Sequence, residues 1–256
     1  MSFARKLLLA VACPLIMSAL AAEFDVASVK QFERSLNPGQ QDLSFLGKAG
    51  KPIDIAGSRI TMRGTLRALI AAAYDIKDYQ ISAAPSWAGV LVYDVLAKAP
   101  GDSAPTQDEV RPMFQALLAD RFQLKVHRET KIMPVYNLIP GKKTIGLKPA
   151  GPDEKFHWGL NMQPDGTLHS KGTGESIGDF VQLVGASADR PVLDKTGVTG
   201  FIDYDILIST PDHPNPDDTN KAILDAVKDQ LGLKLEPAKE PIELLVVDRA
   251  EKPSEN

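Results

Sequence analysis

Landmarks in the second half of this chain return in the order they hold in the first, so one architecture must satisfy both halves. Met113, Phe114, Leu117 and Leu118 lie at helical spacing and lead through Phe122-Gln123 into Leu124-Lys125-Val126. Ala222, Ile223, Ala226 and Val227 lead in the same way through Leu231-Gly232 into Leu233-Lys234-Leu235. Pro134-Val135-Tyr136-Asn137-Leu138 is answered by Pro241-Ile242-Glu243-Leu244-Leu245, and Tyr93-Asp94-Val95-Leu96 by Tyr204-Asp205-Ile206-Leu207. The pattern predicts an α+β fold of two similar halves, each built from helices and antiparallel β-hairpin units, consistent with an internal duplication. One continuous sheet and two separate sheets satisfy it equally.

Local signals fill in the elements. Phe24 to Val29 alternates apolar and polar residues and reads as a first strand. Residues 34–58, rich in Gly, Pro, Asn and Gln, read as surface loop. Ile60-Thr61-Met62 is a short strand, followed by a helix from about Thr65 that buries Leu66, Leu69, Ile70 and Ala73. Val92 to Ala97 reads as a strand after a Pro85-Ser86-Trp87 turn, with Trp87 plugging the core. Thr106-Gln107-Asp108-Glu109 has capping-box spacing, whereas Pro112 predicts a kink or a later helix start. Phe122 to His127 is expected to pair as a hairpin with Pro134 to Ile139. A further helix lies near Ile177 to Val184, and Asp218 or Thr219 is expected to cap the last one. Residues 144–174, dense in Gly, Pro and Lys, read as a linker or long loop between a first half at 22–143 and a second at 175–256.

The N-terminus reads as an export signal. Arg5 and Lys6 precede the apolar run Leu7 to Leu20, which ends in the small-residue site Ala19-Leu20-Ala21, so 1–21 is expected to be cleaved. The run falls short of a bilayer span of ~20 residues, which disfavours a retained anchor; lipidation at Cys13 is the minor alternative. Without those residues the chain has no cysteine, 27 basic and 33 acidic side chains, a formal balance of −6. A disulfide-stapled scaffold is excluded, so a buried core must supply stability. Interleaved charges with an acidic balance argue against a nucleic-acid partner, and no transmembrane segment is expected after cleavage. The expected location is the periplasm or the exterior.

Longer motifs carry a resemblance. Phe24 to Lys30, Pro85-Ser86-Trp87 with Tyr93-Asp94, Leu117 to Phe122 with Leu124 to Glu129, Arg190 to Gly197, Gln230 to Leu235 and Glu251 to Asn256 are similar to a secreted, uncharacterised family expanded in soil Acidobacteria. That family is a domain of unknown function without assigned catalytic residues. Similar domains are fused behind membrane metallopeptidases of the antibiotic-sensor type, which implies extracytoplasmic sensing or interaction. The peptidase's His-Glu-x-x-His is absent here.

Candidate chemistry is sparse. The histidines are His127, His157, His169 and His213; none stands at the i, i+4 spacing of a helical zinc pair, and neither a metal nor a cofactor is expected. No Gly-x-Ser-x-Gly or Ser-x-x-Lys occurs. Asp212, Asp217 and Asp218 lack calcium-loop spacing. Asp94 and Asp205 could meet across a pseudo-twofold axis as a paired-carboxylate site, although alternation makes each a solvent-facing strand residue. The best candidate surface is the loop Arg190 to Gly200, in which Arg190, Asp194, Lys195, Thr196, Gly197, Thr199 and Gly200 could offer charge, hydroxyls and backbone N–H groups to a ligand; the alternative is that Arg190 and Asp194 clamp a turn. The leading expectation is a non-catalytic extracytoplasmic binding module for an envelope protein or peptide, with a role in envelope sensing implied by the family resemblance. The alternative is a periplasmic hydrolase drawing acid and base from His127, Asp94 and Asp205.

Overall fold

The computed structural model describes residues 23–32, 53–142, 146–151, 155–210 and 215–253. The proposed export signal and His213 lie outside them.

The first half builds a four-stranded antiparallel sheet. β1 (Val26–Gln31), β2 (Asp54–Ala56), β3 (Arg59–Thr65) and β5 (Val92–Lys98) stand in the order β1-β5-β3-β2. Alternation drives it: Tyr93, Val95 and Ala97 of β5 are buried, and so are Ile60 and Met62 of β3. Thr65 ends β3 and at once caps α1 (Leu66–Tyr74), its hydroxyl accepting from Ala68 N at 3.3 Å. The predicted face Leu66, Leu69, Ile70 and Ala73 is the buried one. α2 (Gln107–Arg121) opens on the expected capping box, with Thr106 and Glu109 bonding each other's backbone N–H. Its start is not delayed by Pro112, which lies inside the helix. Tyr93 and Phe122 meet edge-on at 5.0 Å inside this core.

The second half follows the same course. β7 (Lys148–Pro149), β8 (His157–Met162), β9 (Leu168–Ser176) and β11 (Phe201–Ile208) form an antiparallel sheet in the order β7-β11-β9-β8. Between 144 and 174, where composition suggests a linker, the described residues therefore hold β7, β8 and most of β9. The glycines and proline there serve a hairpin: Gly166 takes φ 84° in the turn, and Gly172 lets β9 lie against Tyr204. α3 (Ile177–Ala186) leaves β9 directly, capped by Ser176, as α1 leaves β3. α4 (Pro216–Leu231) is capped by Asn215, with Pro216 at its first position; Asp218 is the reciprocal partner three residues on. Neither Asp218 nor Thr219 is the cap itself.

A third sheet joins the halves, with Val192–Asp194 (β10), Lys125–Pro140 (β6), Leu233–Arg249 (β12) and Ile81–Ser82 (β4) side by side in that order. β6 (Lys125–Pro140) and β12 (Leu233–Arg249) run antiparallel along almost their whole length. This corrects the hairpin expectation, since each supposed pair of short strands is one long strand. No Gly, Asn or Asp lies between His127 and Pro134 to make a turn, and a proline is tolerated where a strand has no outer neighbour. Outer neighbours are short: β10 (Val192–Asp194) lies parallel to β6 with Val192 opposite Tyr136, and β4 (Ile81–Ser82) lies parallel to β12 with Ile81 opposite Leu245. The described residues thus form an α+β fold with three sheets. Among the described residues no helix is long and apolar enough to cross a membrane.

Candidate binding cleft

The loop singled out by sequence borders a cleft of about 630 Å³. One wall is α3, where Gly178, Val181, Gln182 and Gly185 share a face by helical spacing. The facing wall is the stretch Ala188 to Asp194, and Lys77, Asp78 and Tyr79 close one side from the first half. Tyr79 and Leu193 belong to a small apolar cluster over Val135, Ile242 and Leu244 of the central strands. Burial raises the Tyr79 phenol above its ordinary pKa.

Local turn chemistry sets the loop. Asp194 Oδ1 accepts from Thr196 N at 2.9 Å and from Thr196 Oγ1 at 2.8 Å, and Thr196 Oγ1 accepts from Val198 N at 3.1 Å. Thr196 is consequently buried and structural. Gly197 and Gly200 hold φ of 73° and 81°, which only glycine adopts cheaply. Lys195 N donates to Leu138 O, tying the loop to β6, while its side chain is exposed, as is Thr199. Arg190 does not clamp Asp194. Its guanidinium lies 4.6 Å from the Tyr136 ring centroid and donates to Asp189 Oδ2 at 2.9 Å. That bond, ahead of the Coulomb attraction, holds the Asp189 carboxyl below its ordinary pKa. Of the seven loop residues, Arg190 and Asp194 border the cleft.

The acid–base trio is not assembled. His127 Nδ1 lies 2.9 Å from Asp248 Oδ1 across the β6–β12 pair. Asp94 binds Arg63 in the first sheet, and Asp205 lies 2.7 Å from His169 Nε2 in the second. The three residues occupy three sheets, each with a separate partner, so the carboxylates do not share a site. His157 is exposed on β8, and Trp87 packs against the first core from a short 3-10 turn, Ser86–Gly89. Among the described residues no group of three or more His, Cys, Asp or Glu is placed to hold a metal ion.

Sequence reasoning missed a polar interior. Glu175, at the end of β9, is 5% exposed, and burial, only partly offset by Tyr204, raises its carboxyl pKa. Tyr204 is raised as well, first by burial and then by Glu175. Tyr204 Oη, Trp158 Nε1 and Glu175 Oε2 are buried without well-formed hydrogen bonds. It also missed Lys77, Asp78, Tyr79 and Gly178 of the cleft, although setting the halves in register from Tyr93-Asp94 and Tyr204-Asp205 places Gly178 opposite Arg67.

The described residues define an α+β protein whose two helix-bearing sheets are joined by a shared central sheet, with a cleft beside α3. The chain belongs to the DUF3738 family, proteins of unknown function, whose model matches residues 67–250. No curated protein and no solved structure matches it.

Proposed function

We propose that the chain is a non-catalytic binding module that works outside the cytoplasm and engages an envelope protein or peptide through the cleft between α3 and β10. The observation that carries this reading is the cleft itself, where apolar Val181, Val192 and Leu193 stand among the charged Lys77, Asp78, Asp189 and Arg190. That mixture of an apolar floor and few polar groups is the usual character of a ligand site. Arg5 and Lys6 ahead of an apolar run and Ala19-Leu20-Ala21 support export with cleavage near Ala21. Likeness to the secreted Acidobacterial family, with its fusions to sensor-type peptidases, supports a role in envelope sensing.

An internal duplication fits the same picture. In each half a strand runs into a capped helix, a short strand parallel to a central strand, an antiparallel return strand, a capping-box helix and a long central strand. Even the αL residue between the last helix and the central strand recurs, Gln123 in one half and Gly232 in the other.

Affinity capture of the tagged protein from the native host envelope, with quantitative mass spectrometry, tests the proposal. A specific envelope protein retained by wild type and lost with Gly178→Arg, which fills the cleft, is expected. Equal recovery by both, or no specific recovery, overturns it.

A further inference from the structure

The open end of the cleft has a filled counterpart in the other half of the molecule. Arg67 and Gly178 are each the second residue of a helix that follows a capped strand, α1 after Thr65 and α3 after Ser176. Asp78 and Asp189 each stand three residues before the first residue of a short parallel strand, Ile81 of β4 and Val192 of β10. Ile81 pairs with Leu245 and Val192 with Tyr136, equivalent places on β12 and β6, and the separation from helix to strand is the same in both halves.

In the first half Arg67 fills this seat. Its Nε donates to Asp78 Oδ1 at 2.7 Å, and its Nη2 donates to Asp78 Oδ2 at 2.9 Å, to the Asp78 carbonyl at 2.6 Å and to the Ile81 carbonyl at 3.3 Å. One guanidinium thereby closes the groove between α1 and the segment that leads into β4. In the second half the same position is Gly178. A Cβ built there would meet no atom nearer than Ser176 Oγ at 3.8 Å, so the space is open. The equivalents of the Arg67 acceptors are present. Asp189 is exposed, and Arg190 already donates to both of its carboxylate oxygens, to Oδ1 at 3.4 Å and to Oδ2 at 2.9 Å, with the Tyr136 hydroxyl a further donor. A carboxylate has about four lone-pair positions, which leaves room for one more donor, while the backbone carbonyls take the rest of the fork. Pro191 O accepts from Tyr136 N and Lys195 N donates to Leu138 O. Alternation along the strand therefore turns the Val192 carbonyl away from β6, as Ile81 turns its own toward Arg67.

We infer that the cleft beside α3 is a seat for an arginine side chain carried by a partner polypeptide, with Asp189 and the Asp189 and Val192 carbonyls taking the guanidinium. This rests on the proposed binding role and narrows it to a ligand chemistry. The planar fork of a guanidinium meets a carboxylate and two carbonyls together, which a lysine ammonium does not. Val181 and Val192 offer apolar surface to its methylene stem. Asp194, on the rim, adds negative charge; Asp78 there is already paired with Arg67, and Lys77 and Arg190 are the positive groups of the lining.

Nitrogen-15 NMR of the protein titrated with acetyl-Gly-Arg-Gly-amide, and with its lysine, citrulline and leucine analogues, tests the inference. The arginine peptide is expected to shift the amides of Gly178, Val181, Asp189 and Val192, with the lysine peptide weaker by about tenfold and the citrulline peptide silent. Gly178→Arg supplies the occupant in cis. It is expected to fold, to abolish the response, and to show the introduced guanidinium on Asp189 in a crystal structure, matching Arg67 on Asp78. Equal responses to arginine and citrulline, or an introduced side chain pointing into solvent, overturn the inference. If only the leucine peptide shifts those amides, the cleft binds but the guanidinium assignment falls. If no peptide does, the binding reading falls with it.

Discussion

Gly172 lies opposite Tyr204 in the β9–β11 pair and opposite Trp158 in the β8–β9 pair. A methyl group there would stand 2.3 Å from Tyr204 Cε1, 2.6 Å from Glu175 Oε2 and 2.8 Å from Tyr204 Cζ. Ordinary carbon contacts begin near ~3.5 Å, so in Gly172→Ala the ring must move by about 1 Å. Retreat is blocked, because Tyr204 is 3% exposed and its ring centroid lies 5.0 Å from that of Phe180. Overpacking of this kind costs about 1–3 kcal/mol, and the blocked retreat puts Gly172→Ala at about 2–3 kcal/mol. For a chain of this size that corresponds to a fall in Tm of roughly 4–12 °C. Urea unfolding with a shared m-value measures it, and a double-mutant cycle with Tyr204→Leu, which removes the opposing ring atoms, should recover a large part of the loss. A change under ~0.5 kcal/mol, or strict additivity in the cycle, refutes the close approach of Gly172 to the tyrosine.

Glu175 gives a pH signature. Its pKa in the fold is raised above the ordinary 4.5, so its contribution to stability is fully present below that value and is lost as pH rises through the folded pKa. Glu175→Gln should therefore be more stable than wild type at pH 7, with the difference vanishing below the ordinary value; urea midpoints at the two pH values check this. Arg67→Ala removes four donated hydrogen bonds, but Asp78 is well exposed, so a loss of about 1–2 kcal/mol is expected in thermal unfolding. Thr106→Ala breaks the capping box of α2 and should cost about 1 kcal/mol in the same assay.

The helices were legible because their signals are local. Thr65 and Thr106 announce their helices, and Leu66, Leu69, Ile70 and Ala73 lie on one face whatever the tertiary context. The long strands were not, because Pro134 and Pro241 look like breaks until the partner is known. Pro134 pairs with Lys239 and Pro241 with Ile132, beyond the reach of the short outer strands β10 and β4. β8 was hidden because Trp158-Gly159-Leu160-Asn161 has no clean alternation and its inner neighbour is β9. Arg190 and Asp194 of the cleft could be named from turn composition. Asp78 and Gly178 could not be named from local pattern, since their place in the cleft depends on how a crossover of one half abuts a helix of the other. Asp194 and Thr196 show the limit of charge and hydroxyl patterns, because they bond to each other and to the backbone inside their own turn.

The central claim is that partners meet this protein at the cleft beside α3. Photo-crosslinking in the native host measures it most directly, with p-benzoylphenylalanine placed at Gln182 on the cleft wall and, as a control, at Lys221 on the exposed face of α4. A discrete adduct from position 182 that is absent from position 221 and is lost on adding Gly178→Arg is the expected result. The same adducts from both positions, or none from position 182, would contradict it.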